Sequence, residues 1–317
     1  MVTHRDIRHI FGPVPSRRLG LSLGLDVIPA KTCPFDCIYC QIGKTNHHTT
    51  RPDNFVTAAE LLEELRLFLD QADCNFDCLT FSGSGEPTLN SELEDMLIGI
   101  RQLTDKPSVV ITGGSLMAEA TVRRALRLAD VVMPSLDSAV QATFEAVNRP
   151  VPGLVVAEII RGMEIFRSEF SGQMRLEVLF VKGYNDRPDE IEAFKSAIER
   201  IQPDTIEINT VVRPPAEKFA LTVCLPDLEQ IRDALGHKAR IIADFKRPAT
   251  VAATPHLDLA ITAVISRRPV TLDDLVSSLG APYSEVVDNL KMLISKGMVQ
   301  PTYHDQKEYY TLVQTLT

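Results

Sequence analysis

The sequence predicts an α/β protein: a partial (β/α)6, TIM-like barrel over residues 1–248, followed by a winged-helix-like domain over residues 253–317. Three observations predict it. Short apolar runs alternate with amphipathic helical patterns about six times, which is the signature of a parallel sheet with helices outside it. Glycines, cysteines and acidic residues gather just after successive runs. A composition shift at "KRPATVAATP" then separates this alternation from a stretch reading as three short helices and a hairpin.

The first strand is "LSLGLDVIP", and a loop with Cys33, Cys37 and Cys40 follows it. "TAAELLEELRLFLDQ" puts Ala58, Leu61, Leu62, Leu65, Phe68 and Leu69 on one helical face, with Thr57 and Glu60 as a capping box. "CLTFSG" is a strand that runs into the turn "GSGEP". "SELEDMLIGIRQL" is a helix with Ser91 and Glu94 as its box. "SVVITGG", "DVVMPSLD", "MRLEVLFVKG" and "TIEINTVV" are the further strands. "EATVRRALRLA", "PGLVVAEIIRGMEIFRSEF", "PDEIEAFKSAIERI" and "PDLEQIRDALG" are the helices that follow them in turn. A doubly wound open sheet is the alternative closure, because periodicity alone does not separate the two. In barrels the chemistry sits at the C-terminal ends of strands. There the chain carries the cysteine loop, "GSGEP", "TGGS" and "SLDS".

Beyond the linker, "LDLAITAVISR", "TLDDLVSSLG" and "YSEVVDNLKMLISKG" are helices, and "MVQPTYHDQKEYYTLV" is two strands around a polar turn. Leu257, Ile261, Leu275, Val287, Leu290 and Ile294 form the expected core of this domain. From Ala253 onward five Lys/Arg stand against seven Asp/Glu, a net charge of −2, so no basic stripe marks it for nucleic acid.

The 317 residues are 44% apolar and 24% charged, enough for a full core without staples. The net charge of −9 argues against a general nucleic-acid-coating protein. No apolar run has the length of a membrane span, and the first residues lack an apolar signal-type core, so a cytoplasmic protein is expected. Clustered cysteines there read as metal or catalytic groups rather than disulfides.

Three thiols within eight positions suit an iron–sulfur cluster that keeps one iron open, since irons are usually held by four. Zinc is the rival, but a structural site needs a fourth ligand, for which His47 and His48 are candidates. "CNFDC" at 74–78 echoes "CPFDC" at 33–37, but Phe81 stands where a third cysteine would be, and Cys78 begins its strand at the far end from "GSGEP". A second cluster is therefore not expected, and Cys224 is expected to be packed. Arg17, Arg18, Arg149, Arg213 and Arg247 lie in loops beside prolines and suit an anionic substrate.

Cys33, Cys37 and Cys40, with Tyr39 before the last of them, resemble the CxxxCxxC signature of the radical S-adenosylmethionine (SAM) superfamily. "SGSGEP" resembles that superfamily's Gly-Gly-Glu motif, with Ser84 at the usual first glycine, and "TGGS" and "SLDS" resemble its ribose- and carboxylate-holding segments. "GPVPSRRLGLSLGLDVIPAKTCPFDCIYCQIGKT" with "FSGSGEPTL" resembles more narrowly the group related to the tRNA-modifying wyosine synthases. The resemblance implies a [4Fe–4S] cluster on the three cysteines. It also implies S-adenosyl-L-methionine beside Tyr39, Gly83, Ser84, Gly85, Glu86, Thr112, Ser135 and Asp137. It implies a one-electron donor such as flavodoxin or ferredoxin. The reduced cluster would cleave SAM to methionine and a 5′-deoxyadenosyl radical that abstracts hydrogen from a substrate, either RNA or a protein or peptide. The residue types suit these roles: Glu86 can accept from an ammonium, Asp137 from ribose hydroxyls, and Tyr39 offers an adenine-stacking face. The alternative from another class is a redox-sensing regulator, with an iron–sulfur or zinc site and a DNA-binding winged helix. That reading leaves "SGSGEP", "TGGS" and "SLDS" without a role.

Overall fold

A computed structural model describes residues 8–16, 18–70, 75–243, 257–266, 268–305 and 307–313. The expected linker and domain boundary, Arg17, Cys74 and Arg247 lie outside the described residues.

Strand β1 (Ile10–Ser16) turns back antiparallel onto β2 (Gly20–Leu25). The cysteine loop follows, with a two-residue parallel pairing of β3 (Thr32–Cys33) and β4 (His47–His48). Helix α1 (Ala58–Asp70) leads to β5 (Cys78–Phe81). A 3-10 turn (Pro87–Leu89) and α2 (Leu93–Leu103) lead to β6 (Ser108–Thr112). Helix α3 (Ala120–Leu126) leads to β7 (Val131–Pro134), and α4 (Gln141–Asn148) and α5 (Val156–Glu169) to β8 (Gln173–Phe180). Helix α6 (Pro188–Ile201) leads to β9 (Thr205–Thr210), and α7 (Leu225–Leu235) to β10 (Ala239–Ile241).

The large sheet runs β1-β2-β5-β6-β7-β8-β9-β10, and every pair from β2 onward is parallel. Strand order never reverses, so the switch point of a doubly wound sheet is missing and the winding is that of a barrel. Among the described residues β10 does not pair with β1, so the barrel is partial. Strands β5 and β7 are buried at every position, as parallel strands covered on both faces must be. Strand β8 alternates: Leu176, Val178 and Phe180 are buried toward the helices, and Glu177 and Leu179 face the interior cavity.

The Thr57–Glu60 capping box forms, with Glu60 N 3.2 Å from Thr57 Oγ1 and Thr57 N 2.9 Å from Glu60 Oε2. The box expected at Ser91 and Glu94 does not. Helix α2 starts after Glu92, whose backbone N–H donates to Asn90 Oδ1 and whose carboxylate instead accepts from Ala58 N at the start of α1. Glu94 pairs with Arg124. The 3-10 turn displaces the helix start, and Asn90 anchors it by donating to Val27 O and Val56 O. Helix α4 was outside the sequence expectation. It is short, and the burial of Phe144 and Val147 together with left-handed Arg149 (φ 44°) at its end defines it.

After residue 256 come α8 (Leu257–Ile265), α9 (Leu272–Leu279), α10 (Tyr283–Ser295) and the hairpin β11 (Val299–His304) with β12 (Lys307–Leu312). They form their own core, in which Leu257, Ile261, Leu275 and Leu290 are buried as expected. On α10 the fully buried positions are Val286, Leu290 and Leu293; Ile294 is partly buried against the same core, and Val286 takes the place expected for Val287. Both i, i+4, i+7 (286, 290, 293) and i, i+3, i+7 (287, 290, 294) are helical spacings that share Leu290, and packing centres the buried face on the first. Helices α8 and α9 pack over edge strand β1, with Val14 against their core, so the edge is covered. Tyr309 Oη donates to Val212 O at 2.7 Å, just past β9. This domain therefore touches both sides of the opening in the barrel.

Candidate cluster and cofactor site

The cysteine loop is fixed from below by α4. Ile38 N donates to Val147 O and Asp36 N to Asn148 O, at 2.9 and 3.0 Å, and Phe35 meets Phe144 edge-on at 5.5 Å between centroids. Within the loop Asp36 Oδ1 accepts from Thr45 N, and Cys40 N donates to Cys37 O. Burial pushes all three thiols above the ordinary cysteine range; the Asp137 carboxylate adds to the effect at Cys37. N–H groups face all three sulfurs: Phe35 N donates to Cys33 Sγ at 3.5 Å, Asn148 Nδ2 to Cys37 Sγ at 3.4 Å, and the Ile42 and Gly43 N–H groups act on Cys40. Donors aimed at sulfur suit thiolates bound to iron, and such bonds are a lever on a cluster. Among the described residues no three His, Cys, Asp or Glu side chains converge as one metal ion requires. Thiolates on separate irons of a cluster need no such convergence. His47 and His48 are exposed, and the His48 ring bonds Pro34 O at 2.8 Å.

The strand-end loops interlock with this one. At Gly85 a Cβ would overlap the carbonyl oxygen of Thr32, so glycine is what lets "GSGEP" lie against the cysteine loop. Ser84 turns its hydroxyl to Asp26 Oδ2, at 2.6 Å. Glu86 is buried, with Oε1 accepting from Thr88 N, Thr88 Oγ1 and Thr112 Oγ1 and Oε2 from Gly113 N at 2.7 Å. It thereby joins "GSGEP" to "TGGS". Asp137 is buried and accepts from Tyr39 Oη, from Asn148 Nδ2 at 2.7 Å and from Leu179 N at 2.9 Å. Burial outweighs these donors and raises its carboxyl to about 6.

One cavity of about 350 Å³ brings Tyr39, Cys40, Gly83, Gly85, Ser135 and Asp137 together. Cys33, Cys37, Ser84, Glu86 and Thr112 are not on its lining. Its far side carries Arg18, Glu177, Asn209 and Arg213 from the barrel, with Val264 and Arg268 from the last domain. Register sets Glu177 beside Glu207 on adjacent strands, and partly buried Arg18 reaches both, while Arg240 also pairs with Glu207. Arg18 is thus committed to carboxylates rather than a solvated loop charge. Arg149 is likewise engaged, by Glu217 at 2.7 Å.

Sequence reasoning missed Asn148 and Asn185. Asn185 Nδ2 holds the carbonyls of Asp137 and Leu179. Asn148 stands beside Arg149 in "NRP", but a lone amide carries no pattern until α4 is placed. Cys224 is exposed ahead of α7, against the expectation that it is packed, and Cys78 is buried with Val109, Val131 and Met133.

Residues 27–196, more than half of the chain, match the family model described as the radical SAM superfamily, and the chain belongs to that superfamily. Its enzymes use a [4Fe–4S] cluster and SAM. The chain is 35% identical over 206 residues to a UPF0026 protein of Synechocystis sp., covering 65% of this chain and 76% of that one. It is 33% identical over 296 residues to a protein of Brachyspira hyodysenteriae named GTPase Obg, covering 92% of this chain but 43% of that relative. The chain thus spans less than half the length of the latter. A crystal structure of a radical SAM methyltransferase from Sphaerobacter thermophilus superposes with a TM-score of 0.52 at 13% identity, over 69% of this chain and 65% of that one, and shows the fold. The regulator reading finds no support in this membership.

Proposed function

We propose that this chain is an enzyme that cleaves SAM reductively and acts on a protein or peptide admitted between the barrel and the C-terminal domain. The observation that carries it is the cavity, which joins the cysteine loop, the strand-end loops and Val264 and Arg268 in one space. Cys33, Cys37 and Cys40 are the cluster ligands. Bound there, the cluster and SAM supply one-electron cleavage of the sulfonium C–S bond and a 5′-deoxyadenosyl radical. The chain's residues bind and orient. Tyr39, Gly83, Gly85, Ser135 and Asp137 form the SAM wall. Glu86 Oε2, with one N–H bond from Gly113, has a lone pair left for the SAM ammonium. Ser84 and Thr112 hold Asp26 and Glu86 in place. Asp137 fixes the Tyr39 ring through its hydroxyl.

The C-terminal domain is read as winged-helix-like, supported by three helices, the hairpin and a bridge from Val270 to Tyr310. Its charge of −2 and the chain's −9 favour a protein or peptide over nucleic acid, whose phosphates demand a basic face. The five described cysteines are free thiols, which suits the cytoplasm. No helix among the described residues is long and apolar enough to cross a membrane. Flavodoxin or ferredoxin would serve as the electron donor. The test is anaerobic reconstitution with iron and sulfide, then SAM and a chemical reductant. 5′-Deoxyadenosine should form only with reductant; its absence from a cluster-loaded protein would contradict the proposal.

A further inference from the structure

Lys31, two residues before the first cysteine, carries three features that the site described so far does not use. Its backbone lies in the left-handed region (φ 64°), which residues with a Cβ rarely adopt. That turn lets its N–H donate to Ser84 O at 2.8 Å while its carbonyl accepts from Asn46 N and His47 N at 3.0 and 2.9 Å. A glycine or asparagine would make the same turn more easily. The side chain folds back under the cysteine loop, where Nζ lies 3.1 Å from the position a Cβ would take on Gly43. There the ammonium nitrogen is buried with no hydrogen-bond partner. Burial acts against its charge, and the groups that offset this are Cys40, whose thiol carries charge only as a thiolate, and the Asp36 carboxylate. Asp36 is itself held, by Thr45 N and at 3.9 Å from Arg149.

A buried ammonium without a partner is costly unless an anion faces it. The polypeptide supplies none within bonding distance. A [4Fe–4S] cluster on three thiolates is anionic and becomes more so on reduction. Net charge nearby is one of the levers that set a cluster's potential.

We propose that Lys31 is the counter-charge of the cluster: its ammonium, packed over Gly43 beside Cys40, eases the cluster's one-electron reduction. This rests on the cluster standing at Cys33, Cys37 and Cys40. Lys31→Met keeps the length of the stem and removes the charge; Lys31→Arg keeps the charge. The full chain is reconstituted anaerobically, its iron is measured, and the cluster is titrated by visible absorption and electron paramagnetic resonance without substrate.

Lys31→Met should be at least tenfold harder to reduce, a midpoint lower by about 59 mV for one electron, and Lys31→Arg should titrate with the wild type. A fully loaded Lys31→Met with an unchanged midpoint overturns the proposal. If Lys31→Met takes up no cluster, retention in Lys31→Arg supports a need for charge, and loss in both overturns it. A second readout uses cluster-free protein. There Lys31→Met should melt above the wild type, because it no longer buries an unpaired ammonium. A lower melting temperature would mean that the fold itself uses the charge, and the proposal fails. Wild-type iron content is read first: a wild type that binds no cluster sinks the cluster reading, and the Lys31 assignment with it.

Discussion

Asp137 shows what one residue does in this site. Its carboxyl is raised from 3.8 to about 6 by burial, against the donors Tyr39, Asn148 and Leu179. A carboxyl raised in the folded state binds its proton more tightly there than in the unfolded chain. The stability it contributes is therefore full below the ordinary carboxyl range and is lost as pH rises through about 6, at about 1.4 kcal/mol per unit. Melting curves of cluster-free wild type and Asp137→Asn between pH about 4 and 6 should show the variant gaining on the wild type as pH rises; a gap that moves the other way would show Asp137 to be stabilised as the anion. Glu86→Gln tests the neighbouring carboxylate. It keeps an acceptor for Thr88 and Thr112 but loses the charge proposed to face the SAM ammonium. Losing a bond to a charged group costs about 1.5–3 kcal/mol, so calorimetry should find SAM binding weaker by about ten- to a hundredfold. Unchanged affinity would remove Glu86 from the SAM contacts. Both residues stand just past apolar runs, in "SGSGEP" and "SLDS", and the resemblance of those motifs singled them out in the sequence. Lys31 and Asn148 were not. Their meaning lies in a buried nitrogen and in a side chain reaching Cys37, and neither leaves a periodic trace.

At the scale of elements, the site is a set of loops locked to one another. Gly85 lies against Thr32, Glu86 spans to Gly113, and α4 carries the cysteine loop on Val147 and Asn148. Gly85→Ala forces a methyl into the Thr32 carbonyl, so the two loops must separate. We expect a loss of about 1–3 kcal/mol in chemical denaturation, typical of overpacking, together with reduced iron uptake. Full stability and full uptake would mean that the loops are not coupled there. The strands and most helices were legible because apolar periodicity is fixed by burial on one face or both. What escaped was local competition. A 3-10 turn took the place of the Ser91 box, and eight-residue α4 depends on Phe144 meeting Phe35 rather than on its own pattern. On α10 two overlapping helical spacings both pass through Leu290, and contact with the other C-terminal helices buries Val286 and Leu293 more deeply than Val287 and Ile294.

For the molecule as a whole, the C-terminal helices and hairpin span the opening that the partial barrel leaves. They cover β1 on one side and bond the chain after β9 on the other. That placement was not legible, because periodicity reports which face is buried and not what buries it. Val264 and Arg268 give the C-terminal helices a share of the cavity wall. Tyr309→Phe removes the bond to Val212 O and should cost about 1 kcal/mol, seen as faster hydrogen exchange in the hairpin and after β9 with the strands β5–β8 unchanged. Uniform exchange changes across the barrel would mean that the domain is an integral part of one folding unit.

The central claim is that the three loop cysteines, and no others, hold the cluster that cleaves SAM. The most direct measurement is iron content and 5′-deoxyadenosine formed after anaerobic reconstitution of single alanine variants. Cys33→Ala, Cys37→Ala and Cys40→Ala should each lose the full cluster and the product, while Cys78→Ala and Cys224→Ala keep both. Retention of a full cluster and SAM cleavage in any of the first three would contradict the account.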